Sequence, residues 1–185
     1  MRRRGLSIVL MAACSFAGCK AKTPEKLNDA MTLIVNYSER GRFDDAIRVA
    51  QDWMEKHPAD SLYDQVAICY LAKASRDRGH KEQLIQQAAI NLEKDLATHK
   101  RGVVDVELYE VGRGFERAGD LSTNDSCSYY SRAVRAFEEE FQFIQGDSDT
   151  SYGHTTPLAP VRQENRKALE RVQSKIEKAG CKRAL

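Results

Sequence analysis

The sequence predicts an all-α fold of about three helical hairpins closed by a C-terminal helix. Three observations predict it. From residue 24 onward, apolar residues recur at steps of three and four, the spacing that lines one face of a helix. Gly41, His57-Pro58 and Gly180 stand where successive periodic runs stop, as helix terminators do. The composition is globular, with 42% hydrophobic and 30% charged residues in a chain of 185, enough for one domain with a core.

The elements follow in order. Thr23-Pro24-Glu25 reads as a helix start, because Thr caps and Pro suits the first turn; Leu27, Ala30, Met31, Ile34 and Tyr37 follow, and Gly41 ends the run. Phe43, Ala46, Ile47, Ala50, Trp53 and Met54 form the second helix, ending at His57-Pro58. A third helix is predicted over 61–78, capped by Asp60, with Tyr63, Val66, Ala67, Tyr70 and Ala74 on its stripe. Leu84, Ala88, Leu92 and Leu96 mark a fourth, ending near 99–102. The fifth runs over about 104–118 through Leu108, Val111 and Phe115, and a polar turn occupies 121–125. Cys127, Tyr130, Val134, Phe137, Phe141 and Ile144 mark the sixth, and 146–156 reads as a loop. Pro157 to Pro160 lead into the last helix, with Val161, Ala168, Leu169, Val172 and Ile176 facing inward.

The first pair resembles a tetratricopeptide repeat, a helix–turn–helix unit of about 34 residues. Leu33, Tyr37, Gly41, Phe43, Ala46 and Pro58 occupy the motif's Leu, Tyr, Gly, aromatic, Ala and Pro positions over 27–60, and GRFDDAI is close to the usual segment between its helices. Ile34 and Trp53 depart from it, putting bulk where the motif has small residues, so this unit is either splayed or capped by Trp53; a generic helical hairpin is the alternative. Val66, Ala67 and Tyr70 resemble a second unit, but Gly79 follows Tyr70 by nine residues rather than four, which predicts a longer third helix. Gly112, Phe115 and Gly119-Asp120 resemble a third, so the likeness extends over about 27–144. It implies a stacked solenoid with a shared core and a polar capping helix. It also implies a concave surface formed by the first helix of each pair. Asn36, Lys73 and Arg113 are the candidate partner-binding residues there, with Tyr37 and Tyr70 read as core.

The N-terminus reads as an address. Met1-Arg2-Arg3-Arg4 precedes the nearly uncharged run GLSIVLMAACSFAG, which Lys20-Ala21-Lys22 closes. That run is too short to span a bilayer as a helix, which takes about 20 residues. Ala17-Gly18-Cys19 resembles the end of a bacterial lipobox, with Phe16 departing from the usual aliphatic residue and Cys14 as a second candidate. An ordinary cleaved signal and a retained anchor helix are the other readings. The resemblance implies a lipoprotein signal over 1–18, an acylated Cys19, a tether over 19–23 and a helical domain over 24–185. Removing 1–18 takes away Arg2, Arg3 and Arg4 and no acid, turning the net charge of +2 into −1. With no long basic run, a nucleic-acid partner is not expected.

Three cysteines would remain in an oxidising compartment. Cys127 opens the sixth helix and Cys181 follows the seventh, so antiparallel packing of those helices predicts a Cys127–Cys181 disulfide; Cys69 reads as a buried apolar residue. A search for chemistry yields no catalytic residue, metal site or cofactor. His57, His80, His99 and His154 lack ligand spacing. Gly112-Arg113-Gly114 lies in a helical pattern and is not a phosphate loop, and Asp147-Ser148-Asp149 lacks the Gly and Glu of a calcium loop. Cys69 and Cys127 have no local basic partner, and Glu138, Glu139 and Glu140 read as a solvated helix face.

Together these features suggest a non-enzymatic binding module facing the periplasm on a lipid anchor. The resemblance to tetratricopeptide lipoproteins, such as pilus pilotins and the β-barrel assembly lipoprotein, implies a scaffold for assembly or localisation of an envelope complex. Lys20, rather than Asp, after Cys19 favours the outer membrane by analogy with that class. An immunity protein that neutralises a delivered toxin and a regulator of a peptidoglycan-active enzyme are the alternatives.

Overall fold

A computed structural model describes residues 24–58, 60–98, 106–146, 148–149 and 156–181. These residues form seven helices: α1 (Leu27–Glu39), α2 (Phe43–Lys56), α3 (Tyr63–Ala74), α4 (Lys81–Thr98), α5 (Val106–Leu121), α6 (Ser126–Phe143) and α7 (Leu158–Lys178). The signal, the tether, Cys14 and Cys19 lie outside the described residues, as do His99, His154 and Asp147. Among the described residues, no helix is long and apolar enough to cross a membrane.

The α1–α2 hairpin closes on Gly41, whose φ of 73° is open to glycine without strain. The Arg42 N–H then reaches back to the Tyr37 carbonyl at 2.8 Å, satisfying an end group of α1. Helix α1 begins at Leu27 after Lys26, later than the predicted Thr23-Pro24 start. Trp53 sits inside this pair as a core residue. It is buried, stacks on the His57 ring at 4.0 Å and donates its indole N–H to Asp60 at 3.1 Å. Asp60 thus serves Trp53, and Leu62 takes the N-cap position of α3.

Helix α3 is shorter than predicted, not longer. It stops at Ala74, and the extra residues before Gly79 form a connecting turn. Asp77 explains the stop. Its carboxylate accepts the Gly79 and His80 N–H groups at 2.9 and 3.1 Å, a local alternative to helical bonding. Helix α5 errs the other way. Gly119-Asp120, expected as a turn, remains helical through Leu121. The turn comes after it and is held from α4: Glu82 accepts the Ser122 hydroxyl at 2.9 Å and the Thr123 N–H at 2.8 Å.

Consecutive helices pack against each other from α1 to α6 and again at α6–α7, while α3 also contacts α1 and α5. Two apolar clusters result. The smaller gathers Ile34, Ile47, Trp53 and Val66, and the larger gathers Leu71, Leu92, Phe115, Phe137 and Val172. Tyr70 packs against both and Tyr37 against the smaller, each partly buried.

Helix α7 runs back along α6. The Arg162 guanidinium donates to the carbonyls of Ile144 and Gly146 at one end. At the other end, Gly180 turns the chain with a φ of 66°, and Cys181 is bonded to Cys127. The segment read as a loop contains one short antiparallel pairing, β1 (Ser148–Asp149) with β2 (Thr156–Pro157). Glu138 is exposed, but Glu140 is 1% exposed, which corrects the expectation of a solvated acidic face.

Candidate functional site

A groove of about 620 Å³ that combines apolar and charged surface lies between α3, α5 and α7. Helix α3 supplies Ile68, a large aliphatic side chain left 37% exposed. Helix α5 supplies Tyr109, whose ring tilts onto Phe137 at 5.5 Å between centroids. Glu116 and Asp120 stand one turn apart on α5, opposite Arg171 and Lys175, also one turn apart, on α7. Equal helical spacing lets the two pairs meet as a lattice. Arg171 donates two parallel bonds to Glu116, each of 2.7 Å. Lys175 reaches Glu116 at 2.7 Å and Asp120 at 2.6 Å. The Tyr130 hydroxyl donates to Asp120 at 2.9 Å.

This lattice sets the local electrostatics. Burial of Glu116 favours its neutral form, but hydrogen bonds and charge from Arg171 and Lys175 outweigh burial and hold its carboxyl below the ordinary range. Burial, with Asp120 as hydrogen-bond acceptor, pushes Tyr130 up to about 12. At Glu82, burial also works against the charge, and the bonds from Thr123 and Ser122 again win and lower it. A carboxyl depressed by folding adds stability above its unfolded pKa and loses it as pH falls through the folded value. Stability should therefore hold from pH 7 down to about pH 5 and decline below it. Thermal melts across this range check the expectation. In Glu116→Gln the acid-side decline should be shallower; a decline as steep as the parent's would contradict the assignment.

The structure does not gather the three candidate binding residues. Arg113 is exposed in the groove and meets Glu110 at a long 3.4 Å. Lys73 lies at the hairpin-turn end of the molecule and pairs with Asp44 at 2.6 Å, in a separate cleft with Arg42 and Arg76. Asn36 is exposed on α1 and lines neither cleft. Sequence reasoning missed Ile68, Arg117, Arg171 and Lys175. The available signal for the last two was their opposite-charge spacing match to Glu116 and Asp120. Ile68 and Arg117 carried no such signal.

His57 is committed to Trp53, and His80 contacts the Asp77 carboxylate at 3.1 Å. Cys69 is buried with its sulfur 3.1 Å from the Ser38 hydroxyl, and burial pushes its thiol pKa up. Among the described residues, no three or more His, Cys, Asp or Glu side chains are grouped to hold a metal ion. Comparison of the chain with protein-family models, curated proteins and solved structures finds no match.

Proposed function

We propose that this chain is a lipid-anchored, periplasm-facing scaffold of tetratricopeptide type, which holds a protein partner in the α3–α5–α7 groove and helps assemble or localise an envelope complex. The observation that carries the reading is the groove itself. It joins an exposed aliphatic residue, a tyrosine and arginines, the residue types that suit protein interfaces, on helices braced by an ion lattice. The packing order adds support, since hairpin follows hairpin and α3 touches both α1 and α5. The anchor part rests on Ala17-Gly18-Cys19 after the basic and apolar N-terminal run.

The test is photocrosslinking in the native envelope from an amino acid with a photoreactive side chain placed at position 110, in the groove, beside a Cys19→Ser version. The scaffold reading expects subunits of an envelope complex to be captured, with capture lost when Cys19 is replaced. Capture of a single secreted toxin regardless of the anchor would replace it with immunity. Stable capture of a cell-wall hydrolase would replace it with enzyme regulation. No capture above background would remove the groove as a protein-binding site.

A further inference from the structure

Taking the groove as the partner site proposed above, we infer that its occupant is a protein segment carrying Asp or Glu next to an apolar residue, with its carboxylates pairing to Arg113 and Arg117 while the apolar residue covers Ile68.

The charges lining the groove divide into those already paired and those left over. The acids on the α7 side of the groove are committed: Glu116 to Arg171 and Lys175, and Asp120 to Lys175 and Tyr130. Arg171 and Lys175 are spent in the same lattice. Arg113 and Arg117 stand one turn apart on α5, both exposed and both lining the groove. Like charges at this spacing oppose each other and weaken a helix, so folding gains nothing from their pairing on one face. Glu110 offsets only part of this, through the 3.4 Å contact with Arg113. Arg117 has no ionic partner among the described residues. An incoming carboxylate relieves the repulsion and gains the planar, two-donor geometry of a guanidinium. Ile68, lining the same groove, gives an apolar side chain a place to leave water.

Glu110 then acts as an internal competitor for Arg113. Neutralising it frees that guanidinium, so the inference predicts a gain as well as a loss. Because the arginines are exposed, binding weakens as salt screens them.

Selection of a random twelve-residue peptide library on the full chain, purified in detergent, tests this without assuming a sequence. The expected result is enrichment of Asp and Glu flanked by apolar residues. Arg117→Glu should weaken a selected peptide about tenfold, the scale of one interfacial charge pair. Glu110→Gln should tighten it about threefold, a smaller change because the contact it frees is long and exposed. The double change Arg113→Glu with Arg117→Glu should turn the selection toward Lys and Arg. Circular dichroism of each variant, unchanged from the parent, keeps misfolding from imitating a loss.

Neutral or basic winners, no enrichment at all, or a Glu110→Gln variant that binds more weakly would overturn the inference. Failure here with successful photocrosslinking leaves the scaffold standing and removes only the acidic partner. Acidic enrichment without capture in the envelope does the reverse.

Discussion

Loss of the Cys127–Cys181 bond is expected to lower the stability of the folded chain by about 4 kcal/mol in the chain-entropy account. The two cysteines are 54 residues apart in sequence, so the bond removes a large loop's worth of freedom from the unfolded chain. What then holds α7 is the bonding of Arg162 at one end, the Arg171 and Lys175 lattice, and the burial of Ala168 and Val172. In a chain of this size the midpoint should fall by about 10 °C. Thermal melts of the parent and of the Cys127→Ser, Cys181→Ser double variant measure it. Reductant should reproduce the effect in the parent and leave the variant unmoved, since Cys69 is a free, buried thiol. A double variant within a degree of the parent would show that α7 needs no covalent restraint.

The second large effect is expected at Gly112. In an open helix, replacing Gly by Ala stabilises by about 1 kcal/mol. Here the sign should reverse. A Cβ at Gly112 would lie 2.5 Å from Phe137 Cε1, and Phe137 is wholly buried. Over-packing of a filled core costs about 1–3 kcal/mol. It outweighs the helix gain, so Gly112→Ala should be destabilising and Gly112→Val more so, by about 3 kcal/mol. Denaturant midpoints at constant slope report this directly. A Gly112→Ala chain more stable than the parent would mean that Phe137 yields freely.

The same glycines explain part of what the sequence concealed. Gly119-Asp120 carries turn chemistry, yet the chain stays helical there, and the glycine is needed because the Tyr130 ring occupies the space that a side chain at 119 would fill. That reason lies on another helix and leaves no trace in the local pattern. The end of α3 was concealed differently. The late Gly79, nine residues after Tyr70, suggested a long helix, whereas the decisive group was the Asp77 carboxylate, which bonds its own following backbone. Glu140 misled because three consecutive glutamates read as solvated, whereas tertiary packing leaves this one 1% exposed. The all-helical character, by contrast, was written in stripes such as Phe43 to Trp53, whose periodicity needs no partner to be recognised. Of the groove, Arg113 was legible as an exposed position on the fifth helix. Its setting was not, since the groove depends on α7 meeting α5 from 55 residues away.

Helix α3 has a mechanical consequence. It is the helix that both apolar clusters share, with Val66 and Cys69 in one, Leu71 and Ala74 in the other, and Tyr70 leaning on both. The two clusters are therefore springs joined in series through this one rod. A pull on the N-terminal hairpin that moves α3 carries Ile68 with it. A shift of the N-terminal hairpin and the fit of the groove are thus two readings of a single displacement.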